Sequence, residues 1–151
     1  MTRRNRGFSL LELLVVLALM AVAVGIAIPI LGGEGPSETE LRSSARQLAA
    51  AARLARSEAV SLREETFLVV DLEHRRFQIE HMAKEQQLPE DVYLEVFTAQ
   101  DDLINDTTAS IRFFPDGGSN GGRITVSAGE GSERKYEVDV DWLTGRVRIL
   151  E

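Results

Sequence analysis

The chain has 151 residues, 44% of them hydrophobic and 27% charged, enough for one modest globular domain and too short for a two-domain enzyme. It contains no cysteine, which excludes disulfides, thiol catalysis and Cys-based zinc or iron–sulfur sites. With 24 acidic and 17 basic residues, a net charge of −7, it does not have the composition of a protein that coats nucleic acid.

The charge is unevenly placed. Arg3, Arg4 and Arg6 stand in the first seven residues with no acid, so the sequence after Gly7 holds 14 basic against 24 acidic residues. From Leu13 to Gly33 there are 21 consecutive uncharged residues, and a helix of that length spans roughly 32 Å, close to the ~30 Å hydrocarbon core of a bilayer. Cations before this segment and acids after it place the N-terminus in the cytoplasm and export the rest. Two residues interrupt the apolar run from Phe8 to Leu31. Glu12 is one, because a central carboxylate costs about 2.5–3.5 kcal/mol on insertion scales and marks a functional position. Pro29 is the other, and its missing N–H should kink the helix near its outer end. A secretory signal peptide cut at Ala21-Val22-Ala23 competes with this reading, but a Glu inside its apolar core argues against it. A plain signal anchor, with Glu12 near the interface, is a further alternative.

Residues 6–17, Arg-Gly-Phe-Ser-Leu-Leu-Glu-Leu-Leu-Val-Val-Leu, resemble the type III signal of prepilins and type II secretion pseudopilins: a short basic leader ending in Gly7, then Phe8, then a Glu five residues into the mature chain. The resemblance implies cleavage between Gly7 and Phe8 by the membrane prepilin peptidase and N-methylation of the new Phe8 amine. It also implies packing of the apolar helices into a filament core, with Pro29 at the family's usual kink. A buried carboxylate needs a partner. Glu12 of one subunit would find it in the Phe8 amino terminus of a neighbour, which makes Glu12 an assembly residue.

Gly32-Gly33-Glu34-Gly35-Pro36 breaks the apolar pattern as a flexible joint, with Ser37 or Thr39 as N-cap of a second helix running to about Glu65. Leu41, Ala45, Leu48, Ala52, Ala55, Ala59 and Leu62 recur at spacings of four and three, an apolar stripe on one helical face. Over only about three heptads this mostly alanine stripe suits packing on a sheet better than a coiled coil. Arg42, Arg46, Arg53, Arg56 and Arg63 are expected on a solvated surface. After Glu65 the texture turns to alternating, β-branched runs, which predict strands at Thr66–Leu72, Arg76–His81, Val92–Phe97, Ser110–Phe114, Arg123–Ala128, Lys135–Asp141 and Gly145–Leu150. Trp142 and either Phe113 or Phe114 are expected in the core.

Within this region Ile111 to Val126, a strand, a Gly-rich turn and a second strand, resemble the C-terminal domain of the H-type minor pseudopilins, a family shared with FimT-like minor pilins. The fold class expected is α+β and type IV pilin-like: a long N-terminal helix, half membrane and half amphipathic, packed on antiparallel sheet. The expected organisation is a leader at 1–7, a transmembrane or filament-core helix at 8–31, a hinge at 32–36, the amphipathic helix at 37–65 and a periplasmic β domain at 66–151.

Several motifs invite a chemical reading and lack its context. Gly117-Gly118-Ser119-Asn120-Gly121 fits G-x-S-x-G, but a strand follows it where a hydrolase elbow needs a helix. The same glycines lack the Lys-Ser/Thr of a phosphate-binding loop. Asp101, Asp102, Asn105 and Asp106 form an oxygen-rich cluster, and major pseudopilins hold calcium in a C-terminal loop; the spacing is not that of an EF-hand, and a solvated loop is expected. His74 and His81 have no metal-ligand spacing. No metal and no cofactor is assigned.

Gly145-Arg146-Val147-Arg148 resembles the G-R-x-R of FimT-like pilins that take up DNA, and strand alternation would put Arg146 and Arg148 on one face. Asp139, Asp141 and Glu151 lie close by, however, and phosphate binding needs several cations. The function implied is therefore structural, not enzymatic: an H-type minor pseudopilin on the inner membrane, with its C-terminal domain in the periplasm. Its implied partners are the I, J and K minor pseudopilins, the major pseudopilin, the inner-membrane assembly platform and the prepilin peptidase. A FimT-like, DNA-binding minor pilin is the alternative.

Overall fold

The computed structural model describes residues 10–31, 35–98, 103–105 and 107–151, with the side chains of all of these except 23–31 and 103–105. The leader, including Gly7, lies outside the described residues, as do Phe8, the hinge residues 32–34 and Asp101, Asp102 and Asp106 of the acidic cluster. The chain divides into two units, Met1–Glu34 and Gly35–Glu151.

In the first unit α1 runs from Leu10 to Leu31, a helix of 22 residues with Glu12 in its first turn. A carboxylate there meets the positive end of the helix dipole. Apart from Glu12 the helix is apolar all round, and the side chains from Leu10 to Val22 are exposed, the pattern of a helix that is buried in a membrane or an assembly. Its backbone stays helical through Pro29. Counted on described residues, no helix is long and apolar enough to cross a membrane, but in α1 the described side chains stop at Val22 while the sequence continues apolar to Leu31.

In the second unit α2 spans Glu38–Leu62. Ser37 is its N-cap and closes a capping box: its Oγ accepts the Glu40 N–H at 3.3 Å, and the Glu40 carboxylate accepts the Ser37 N–H at 2.8 Å. Two of the orphan donors of the first turn are thereby satisfied. The helix ends three residues before the expected Glu65, with Arg63 in the left-handed conformation as its cap. Leu41, Ala45, Leu48, Ala52, Ala55 and Ala59 are fully buried, while Leu62 at the end is 54% exposed. The short alanine side chains let α2 lie close to the β-strands.

Nine strands follow among the described residues. β1 (Thr66–Asp71), β2 (Arg76–Ile79), β3 (Gln86–Gln87), β5 (Leu103–Asn105) and β6 (Thr108–Phe113) form one sheet in the order β3-β2-β1-β6-β5. β4 (Tyr93–Phe97), β7 (Gly122–Ser127), β8 (Lys135–Val140) and β9 (Val147–Leu150) form the second in the order β4-β7-β8-β9. All pairs are antiparallel. All seven expected strands form, within a few residues of their expected ends, and β3 and β5 are additional. α2 packs on strands of both sheets, so one core forms from the alanine stripe, Leu68, Val70 and Ile111 of the first sheet and Ile124, Val126 and Val138 of the second. Phe113 is fully buried.

Trp142 corrects an expectation: it is 68% exposed, and its neighbour Leu143 is 66% exposed. β8 ends at Val140, and the chain then turns. The Asp141 carboxylate accepts the Thr144 N–H at 2.9 Å, and Gly145 N–H bonds the Asp141 carbonyl at 2.8 Å. Trp142 occupies the outside of this turn, where strand alternation no longer applies.

Candidate functional sites

Glu12 is the assembly candidate within the described residues; its side chain is exposed near the start of α1. Gly7 and Phe8, which bracket the expected cleavage point, belong to the residues not described.

The second candidate is the loop between β8 and β9, which carries Arg146, with Arg148 in the following strand. Arg148 donates to the Asp139 carboxylate at 3.2 Å, directly across the β8–β9 ladder, where Asp139 and Arg148 are register partners. Arg123 donates to the same carboxylate at 3.3 Å, so Asp139 serves two guanidinium groups. Arg146 and Arg148 are both exposed on either side of buried Val147, but Arg146 precedes β9, and only Arg148 is held by an acid. The Arg146 side chain makes no hydrogen bond or ion pair among the described residues.

Two arginines of α2 meet the same loop, which corrects the expectation that they are only solvated. Arg53 Nη2 donates to the Val147 carbonyl at 3.2 Å. Arg56 Nε donates to the carbonyls of Gly117 at 2.8 Å and Thr144 at 3.1 Å, tying the helix to both the Gly-rich turn and the β8–β9 loop. Gly145 makes this approach feasible. Its φ is +59°, and a Cβ there would lie 2.4 Å from the Gly117 carbonyl oxygen and 2.9 Å from Arg56 Nε, far inside van der Waals contact. Thr144, through its hydroxyl and then its N–H, holds the Asp141 carboxyl below its ordinary range and stiffens the turn.

The Gly-rich turn is structural. Ser119 is buried; its hydroxyl donates to the Arg112 carbonyl at 2.8 Å and accepts the Gly121 N–H at 3.0 Å. It sits in a bridge with Phe113 between two strands, so no elbow presents it to a substrate. His74 lies in the β1–β2 turn beside the Asp71 carboxylate, its Nδ1 at 2.9 Å, and His81 is exposed. Among the described residues no three His, Asp or Glu side chains are grouped to hold a metal.

An apolar N-terminal helix led by a basic segment, followed by an amphipathic helix packed on antiparallel sheets, defines the class: a type IV pilin-like subunit. Solved structures share the fold. The minor pseudopilin EpsH from the type II secretion system of Vibrio cholerae aligns with a TM-score of 0.56 at 16% identity, covering 74% of this chain and 96% of that one. The type IV minor pilin FimU of Pseudomonas aeruginosa gives 0.59 at 15% identity, covering 75% and 90%. Residues 2–28 match the prokaryotic N-terminal methylation motif, and residues 44–144 match the family of type II transport protein GspH. The type II secretion system protein H of Xanthomonas campestris pv. campestris is 34% identical over 146 residues, 97% of this chain and 83% of that protein. The chain belongs to the GspH family: it is a minor pseudopilin of type II secretion, a membrane-anchored structural subunit with a periplasmic domain and not an enzyme.

Proposed function

We propose that this subunit sits just below the tip of the secretion pseudopilus, joining the I-, J- and K-type minor subunits to the major pseudopilin so that filament extension can move folded proteins across the outer membrane. The observation that carries this reading is the 34% identity to a type II secretion system protein H along 97% of the chain. In this reading the prepilin peptidase removes residues 1–7 and the Phe8 amine is methylated. Residues 8–31 span the inner membrane once, with the N-terminus cytoplasmic, and enter the filament core on assembly. Residues 32–36 are the hinge to the periplasmic domain. Glu12 pairs with the Phe8 ammonium of a neighbour, which offsets the burial of both charges. The Asp139–Arg148 pair removes one of the two cations that a DNA-uptake role would use, and this supports secretion over uptake.

The test is co-purification of the full-length chain from detergent-solubilised membranes with I-, J- and K-type minor pseudopilins and the major pseudopilin, alongside secretion assays in a strain lacking the gene. The proposal expects capture of the minor subunits and loss of secretion. Intact secretion in the deletion strain, with none of these subunits captured, would overturn it.

A further inference from the structure

Arg53, Arg56 and Arg146 line one open cavity of about 320 Å³, together with Thr144, Gly145 and Val147. Among the described residues no carboxylate lines it. This is unusual in a chain of net charge −7, where arginines on and beside β8 and β9 are already ion-paired: Arg148 with Asp139, Arg123 with Glu137 at 3.1 Å and Asp139, and Arg42 with Glu151 at 3.7 Å. The backbone carbonyls of Val147, Gly117 and Thr144 fix the Arg53 and Arg56 head groups through one N–H each, which leaves their remaining N–H donors for other acceptors. The Arg146 guanidinium has no partner among the described residues. Three like charges held together repel one another, and an oxyanion placed among them relieves that repulsion while accepting charge-assisted hydrogen bonds.

We infer that this cleft is a docking site for carboxylate side chains on an acidic segment of an adjoining subunit. A cavity of this size admits one or two carboxylate groups. A nucleic acid would instead need a track of cations along its backbone, and the surface beyond the cleft gives ion-paired arginines and the carboxylates of Asp139 and Glu151. Gly145 shapes the site, since any side chain there would collide with Arg56. That the segment belongs to a filament neighbour rests on the function proposed above; the carboxylate preference of the cleft does not.

The two are separated by a direct measurement on the full-length chain in a nonionic detergent. The probe is a fluorescein-labelled hexaglutamate peptide read by anisotropy in about 0.15 M salt, where the Debye length is about 8 Å; hexaglutamine and a labelled DNA duplex are compared with it. Protein and peptide both carry net negative charge, and the cleft variants separate binding at the cleft from attraction to the leader arginines Arg3, Arg4 and Arg6. The inference expects saturable hexaglutamate binding, none of hexaglutamine and weaker binding of DNA. Arg146→Gln should weaken the peptide about tenfold, the scale of one charge-assisted contact. Arg146→Lys should recover part of this, and Arg148→Gln should leave it unchanged. A melting temperature of Arg146→Gln equal to that of the parent shows that the fold is intact, as its unbonded side chain requires. Tighter binding of DNA than of peptide, equal loss from Arg148→Gln, or no peptide binding by the parent would each overturn the inference. Peptide binding with normal secretion by Arg146→Gln would keep the carboxylate preference and remove the filament neighbour as its source.

Discussion

Gly145→Ala tests how tightly α2 is fastened to the β8–β9 loop. The backbone at this position has φ +59°, and an L-residue in the left-handed region costs about 1–2 kcal/mol. The new methyl would stand 2.4 Å from the Gly117 carbonyl oxygen and 2.9 Å from Arg56 Nε, so the loop has to retreat. Retreat breaks the hydrogen bonds that Arg56 Nε donates at 2.8 and 3.1 Å; a hydrogen bond from a charged donor is worth about 1.5–3 kcal/mol, taken at its lower end because Arg56 is exposed. The two contacts share the single Nε–H and count once, so the sum is about 2.5–3.5 kcal/mol, a large fraction of the 5–15 kcal/mol typical of a domain, and at roughly 4 °C per kcal/mol it lowers the melting temperature by about 10–14 °C. Gly131 supplies the control. Its φ is +67°, and a methyl group at this position would meet nothing within 4 Å, so Gly131→Ala carries the backbone term alone, about 4–8 °C by the same conversion. Scanning calorimetry of the two full-length variants measures the difference, and a Gly145→Ala transition within about 2 °C of Gly131→Ala would refute the steric argument.

The other predictions concern the membrane segment and the helix cap. The intact mass of the membrane form should correspond to loss of residues 1–7 plus one methyl group, whereas a terminus near Val24 would indicate an ordinary signal peptide. Glu12→Ala removes a carboxylate from an apolar segment, so insertion and processing should persist while filament incorporation and secretion fail, because the neighbouring amine is left without its partner; normal secretion by this variant would exclude Glu12 as an assembly contact. Ser37→Ala should destabilise the domain by about 1 kcal/mol through the lost cap. Hydrogen bonds from Ser37 hold the Glu40 carboxyl below its ordinary value of 4.5, so their contribution is complete above that pH and is lost as the pH falls through the lower folded value; the gap between parent and variant in thermal melts should narrow below about pH 4.5, and a gap independent of pH there would contradict the assignment.

What was legible in the sequence was set by periodicity. The spacing of Leu41, Ala45, Leu48, Ala52, Ala55 and Ala59 marks the buried face of α2 because every one of those contacts follows from the 3.6-residue repeat. β7 and β8 are legible for the same reason at period two, with Ile124 opposite Val138 on the core side. β3 and β5 are two and three residues long; they are strands only through pairing with a neighbour, and so short a run has no pattern of its own. Trp142 is misplaced by hydrophobicity alone, which ranks a residue for burial without knowing that the strand has ended. The roles of Arg53 and Arg56 depend on carbonyls up to 94 positions away, beyond any local signal. Arg148 is different: once β8 and β9 are joined as a hairpin, the register puts it opposite Asp139, and its neutralisation can be read from the sequence.

The exposed turn at Trp142 has a spectroscopic consequence. Trp142 is the sole tryptophan and is 68% exposed, so its emission lies near that of a water-solvated indole in the native state and shifts little when the domain melts. Intrinsic fluorescence is therefore a poor reporter of unfolding in this subunit. For the same reason it has low background for association: the indole sits two residues before Thr144, whose carbonyl receives Arg56, and a subunit that covers this face has only one indole on this chain to dry. A blue shift on mixing with another pseudopilin would locate the contact on the β8–β9 turn without any label.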